Sequence, residues 1–88
     1  MPKLIPKNSF LRQSAKITKK LPSLETKILK ALRLLHEDSF SPSLKTHKLS
    51  GNLNDKYACS VSDDIRIVFT ISDDTIHLLN IGSHDEVY

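Results

Sequence analysis

The chain contains one cysteine, Cys59, so no disulfide can form within it and no cysteine cluster can hold zinc. Glycine and proline are scarce, at two and four residues, and no low-complexity tract, repeat or linker interrupts the sequence. Disorder requires few apolar residues and a high net charge, whereas 39% of this chain is hydrophobic and its formal charge is +3. No apolar run approaches the length of a membrane span, and Met1-Pro2-Lys3-Leu4-Ile5-Pro6-Lys7 lacks the core of a signal peptide. The four histidines are scattered without ligand spacing. These absences lead us to expect one domain over residues 1–88 in a reducing cytoplasm, with no membrane, metal or cofactor.

Charge is distributed unevenly. Residues 1–50 carry 11 Lys and Arg against three acids, a balance of +8, while residues 51–88 carry two against seven, a balance of −5. A polyanion or an acidic partner meeting the first half accounts for this, and so does a lysine-rich helix face kept in water. At 88 residues the domain is near the lower limit for a single hydrophobic core, so dependence on a partner is in keeping with its size.

The hydrophobic pattern changes period once. Pro2 and Pro6 restrict the first residues to an edge strand or a lead-in. Asn8 or Ser9 is placed to cap a helix running to about Lys20. Ser23 is placed to cap a second, in which Leu24, Ile28, Ala31, Leu32 and Leu35 make one apolar stripe while Lys27, Lys30 and Arg33 face water. Pro42 prevents its continuation. From Tyr57 the period becomes two. Tyr57, Cys59 and Val61 alternate with smaller residues, and Ile65, Ile67, Phe69 and Ile71 alternate with Arg66, Val68 and Thr70. The acidic turns Ser62-Asp63-Asp64 and Ser72-Asp73-Asp74 separate three such runs, which predicts an antiparallel meander. Two helices followed by three strands make an α+β domain with the helices on one sheet face. Arg66 and Ser60 then point to the other face, where an arginine is tolerated only if that face is wet or the charge is paired.

Three segments carry a resemblance. Ser43-Leu44-Lys45-Thr46-His47-Lys48-Leu49-Ser50-Gly51, Asp64-Ile65-Arg66-Ile67-Val68-Phe69 and Ile81-Gly82-Ser83-His84-Asp85-Glu86-Val87-Tyr88 resemble, in this order, blocks of RelE/ParE-superfamily type II toxins of the YafQ-like branch. The resemblance runs from about residue 8 to residue 88. It implies a compact β-α-α-β-β-β domain and a metal-independent endoribonuclease, an mRNA interferase acting on mRNA in the ribosomal A site. It also implies an antitoxin partner that wraps and silences the toxin.

RNA brings its own nucleophile, the 2′-hydroxyl, so the protein must supply a base, an acid and a cation. By resemblance His84 is the first choice for proton transfer, its rival reading being a surface histidine. His47 is a base or a phosphate-binding partner, or else a loop histidine packed on the sheet. Asp64 assists catalysis or simply forms a turn. Arg66 clamps the scissile phosphate or pairs with a nearby acid. Tyr88 stacks on or orients a base, or is a frayed terminus. Lys45 and Lys48 contact the backbone of mRNA or ribosomal RNA. His36 and His77 match no family role and read as structural or surface residues, and Cys59 as an inert core residue.

The chain departs from the pattern at two positions. Ser60 lies where some YafQ-like enzymes have a further catalytic histidine, and Asn80 where a second basic residue can occur. These departures keep a weakly active or purely binding member among the alternatives, beside a ParE-like inhibitor of DNA gyrase.

Overall fold

The longest alternating run in the sequence becomes the middle of a five-stranded sheet in a computed structural model of the chain, which describes residues 2–51 and 55–87. Strand β4 (Ile65–Ser72) pairs antiparallel with β3 (Tyr57–Ser60) on one side and β5 (Thr75–Ser83) on the other. Strand β1 (Lys3–Pro6) lies parallel to β5 at one edge, and the two-residue β2 (His47–Lys48) lies antiparallel to β3 at the opposite edge. The expected α+β architecture and element order hold. The parallel β1–β5 pair makes the sheet mixed, and the short β2 adds to the three-stranded meander.

Turn chemistry fixes the central hairpin. Ser72 pairs with Thr75 across the two-residue loop Asp73-Asp74, and Asp73 takes a left-handed φ of 54°, which aspartate tolerates better than most residues. Farther along, Val68 faces Asn80 but Phe69 faces Leu78, so Leu79 is an extra residue bulged out of β5.

Helices α1 (Asn8–Lys20) and α2 (Leu24–Glu37) cover one face of the sheet, and a four-residue α3 (His84–Val87) follows β5 directly. The α2 stripe is confirmed: Leu24, Ile28, Ala31 and Leu35 are buried, Leu32 is half-buried, and Lys27, Lys30 and Arg33 are exposed. Phe10 of α1 joins them against Cys59, Ile67, Phe69, Ile76, Leu78 and Ile81 of the sheet. The expected caps are corrected. Asn8 is already helical, and the Ser9 hydroxyl donates instead to the Leu79 carbonyl at 2.6 Å. That carbonyl belongs to the bulged residue and needs a donor from outside the ladder. Ser23 does stand at the start of α2, but its side chain makes no capping bond.

Cys59 is fully buried, and burial pushes its thiol up to about 12. At pH 8 the native thiol should therefore resist a disulfide reagent and react only after denaturation, which a colorimetric thiol assay with and without guanidinium will read. Phe69 is also fully buried, and its ring stacks on Tyr57 with centroids 5.8 Å apart. Phe69→Ala is expected to cost about 3–5 kcal/mol, a large share of a small domain's stability, measured as a shift of the urea midpoint.

Candidate functional site

Strand pairing determines which residues share the face away from the helices. Ser60 faces Arg66, Arg66 faces Gly82, Val68 faces Ala58 and Asn80, Ala58 faces His47, and Thr70 faces His77. Residues paired across strands point to the same side, so these side chains belong to one face, opposite Ile67 and Phe69. Ala58 and Val68 are buried there and form an apolar floor, with Ser60, Arg66, Thr70, His77 and Asn80 half-buried around it. The bulge at Leu79 is required for this arrangement. Unbroken alternation from Leu78 would turn Asn80 and Gly82 into the core and Ile81 out of it.

Backbone carbonyls hold Arg66. Its Nη1 donates to the Ser62 carbonyl at 2.6 Å and to the Ile65 carbonyl at 3.2 Å. The expected alternative of an ion pair with Asp64 does not occur, and among the described residues Arg66 has no carboxylate partner. Its Nη2 and Nε make no bond to the described residues. A guanidinium fixed along one edge by carbonyls presents the other edge as a two-pronged donor, the geometry a phosphate accepts. The turn it grips is tight: the Ile65 carbonyl accepts from Val61 and Ser62 N–H, and the Ser62 hydroxyl accepts from Ile65 N–H.

Asp64 and His84 stand at the same end of the ladder. Ile65 pairs with Ser83, so the chain leaves β4 at Asp64 and enters α3 at His84 on either side of that pair. Both residues are exposed. His84 Nδ1 lies 3.6 Å from an Asp85 carboxylate oxygen. Asp64 also borders a surface groove with Leu21, Leu24 and Lys27 at the start of α2.

His47 approaches from the other edge. It opens β2, exposed, with Nδ1 3.1 Å from the Lys45 carbonyl, and it is two strands, or about 10 Å, from the line of β4. Lys45 takes a left-handed φ of 52° as the chain leaves the 3-10 turn Pro42–Leu44, and Lys45 and Lys48 flank His47 in solvent. A groove between α2 and β3 brings Lys27 and Lys30 beside Ser43 and Ser60. Among the described residues none of these four lysines forms an ion pair. The basic first half of the chain thus meets the sheet face along its β2–β3 margin.

Arg66, Asp64 and His84 are therefore gathered at one end of the β4–β5 ladder, His47 faces them across β3, and Tyr88 lies outside the described residues. Ser60 and Asn80 sit on this face as well. The Asn80 side-chain oxygen accepts from Ile81 N–H at 2.9 Å, which leaves its amide donors turned outward. His77 lies on the same face toward the β1 edge, half-buried and paired with Thr70, in keeping with its reading as a structural or surface residue. Ser62 escaped notice because its role is played by a backbone carbonyl, which no residue type signals. Among the described residues no three of His, Cys, Asp and Glu are grouped to hold a metal ion.

No curated protein matches the sequence. Among solved structures, a copper-bound mutant toxin from Helicobacter pylori is 28% identical, with a TM-score of 0.79 over 100% of both chains. YafQ from Escherichia coli BL21(DE3) is 14% identical, with a TM-score of 0.83 over 100% of this chain and 99% of that one. YafQ in the E. coli DinJ–YafQ complex is 16% identical, with a TM-score of 0.81 over the same shares. The family described as bacterial toxin of type II toxin–antitoxin system, YafQ, matches residues 3–88, and this chain belongs to it.

Proposed function

We propose that this toxin is an endoribonuclease that cuts mRNA on the ribosome and is silenced by a cognate antitoxin. The observation that carries the reading is Arg66, half-buried, held by backbone carbonyls and with one edge of its guanidinium unspent, next to the end of the ladder where Asp64 and His84 emerge. Among the described residues such a cation has no structural acid to neutralise, which suits it to a phosphate.

The chemistry follows from RNA itself. A base removes the 2′-hydroxyl proton, the 2′-oxygen attacks the adjacent phosphorus, and the bond from phosphorus to the 5′-oxygen breaks. An acid protonates that leaving oxygen, giving a 2′,3′-cyclic phosphate and a 5′-hydroxyl end. No metal-activated water is needed, because the nucleophile belongs to the substrate. Arg66 stabilises the charge that grows on the phosphate oxygens. His84 transfers a proton, with Asp64 beside it to orient or assist. His47 serves as the second proton-transfer group or as a phosphate ligand, and Tyr88 stacks on a base. Lys45 and Lys48 hold the backbone of mRNA or ribosomal RNA, an interaction that weakens with salt.

DinJ bound to the E. coli relative supports an antitoxin for this chain. We place its acidic or amphipathic segment on the basic first half, and co-purification with the neighbouring gene product tests the pairing. A second reading, binding without cleavage, draws on Ser60: the residue directly across from Arg66 is a hydroxyl where related enzymes can have a histidine.

Cleavage of a programmed ribosome separates these readings. His84→Ala and Arg66→Ala should each lower the rate by roughly a hundredfold, in the range reported for loss of a general acid–base group or an oxyanion donor. Cleavage by the wild type with both variants unimpaired would remove these assignments. No cleavage by folded wild-type toxin would direct attention to gyrase inhibition and then to a binding role.

A further inference from the structure

Three residues of the tail, Gly82, Ser83 and Glu86, take no part in the chemistry above, yet they meet where the chain turns from β5 into α3 at His84. Helix α3 has four residues and buries none of them, so neither its length nor an apolar face can keep it in place. A polar contact and a close approach tie it to the end of β5. The Ser83 backbone N–H donates to Glu86 Oε1 at 2.8 Å. Ser83-His84-Asp85-Glu86 has the spacing of a capping box, in which the residue three positions on reaches back to the N–H that opens the helix. At Gly82 a Cβ would come within 3.1 Å of both Cβ and Oε1 of Glu86 and 3.4 Å of Val87 Cγ1, so the Glu86 side chain packs closely on the bare glycine backbone and would have to shift for a larger residue.

The contact is anchored at both ends. Ser83 pairs with Ile65, the neighbour of Arg66, so the start of α3 is tied directly to the strand that presents the phosphate clamp. Glu86 itself lies in a groove with Lys16, Lys20 and Gln13 of α1. Hydrogen bonds from Ser83 hold its carboxyl below the usual range, and the charges of Lys20 and Lys16 add to the effect.

We propose that Glu86 is a positioning residue of the toxin: by accepting from Ser83 N–H it fixes the first turn of α3, and with it the backbone from which His84 reaches the scissile phosphate. The proposal rests on the nuclease reading for its catalytic consequence, while the tie itself is independent of that reading. Glu86 touches no reacting atom. Its removal leaves His84 present but its backbone free to wander, and displacement of a catalytic group by about 1 Å can cost up to about a hundredfold in rate.

The test compares full-length Glu86→Ala and Glu86→Gln with wild type, in ribosome cleavage and in amide hydrogen exchange at Ser83 and His84 by NMR. Glutamine keeps an oxygen for the Ser83 N–H, so the box survives without the charge. Glu86→Ala should lower kcat by roughly tenfold to a hundredfold with KM nearly unchanged, and should speed exchange at both amides. Glu86→Gln should restore exchange protection and bring kcat to within about threefold of wild type. Wild-type kcat in Glu86→Ala would overturn the proposal, and so would equal damage in both variants. If wild-type toxin does not cleave, the nuclease reading fails by itself, and unchanged exchange in Glu86→Ala then overturns the tie. A thermal melt of each variant separates a lost fold from a lost position.

Discussion

From the turn at Asp73-Asp74, where Ser72 meets Thr75, the pairing of β4 with β5 counts upward residue by residue, skips Leu79, and ends where Ile65 meets Ser83. Almost everything else depends on that count. The strand period is two, so a slip of one residue would turn Arg66 into the core and Ile67 out of it. The bulge makes one such change of phase within β5, keeping Ile76, Leu78 and Ile81 inside while Asn80 and Gly82 face outward. Its freed carbonyl is taken up by Ser9, which ties α1 to the strand at the point where alternation breaks. The helices then seal the apolar side and leave the polar side uncovered.

On that uncovered side the backbone provides what side chains usually would. Arg66 is oriented by two peptide carbonyls of the β3–β4 turn, and among the described residues no carboxylate neutralises its charge. Small residues do the rest: Ala58 and Val68 lay a floor, and Gly82 lets α3 turn back immediately after the sheet ends. Cations from α2 and from the segment around His47 border the same face and have no acids paired with them among the described residues. A cationic margin beside a shallow, partly apolar surface suits a polyanion that is held by its backbone.

Much of this was legible in the sequence. The apolar stripe of α2 and the alternation of β3 and β4 are periodic, and periodicity reports burial directly. The side of the sheet taken by Arg66 followed from parity with Ile67. The prolines at positions 2 and 6 marked an edge strand, though nothing local could say that it runs parallel to β5, because its partner is far along the chain. The bulge was hidden for a different reason: Leu78-Leu79-Asn80-Ile81 reads as a plain apolar run, and only packing decides which leucine loses its place. Serine misled twice, since Ser9 and Ser23 have the residue type of a cap, while Ser9 answers a tertiary demand and Ser23 makes no cap bond. At the site, histidine and arginine announced themselves by chemistry. Which of them share a face and an end of the sheet required the register.

Arg66 lies within the β4–β5 hairpin and Asp64 and His84 flank its open end, whereas other contacts that close the domain join its distant parts, as Ser9 and Leu79 do across a separation of 70 residues. Local pairings form early and long loops close late. The pairing that sets Arg66 against Gly82 is local and does not depend on β1 or α1 being attached, whereas β1 and α1 join β5 only across long separations. For a molecule whose activity endangers its producer, this order has a consequence. A binding protein that recognises α1 or β1 would meet only the finished domain, while one that recognises the hairpin could capture the toxin before it is complete.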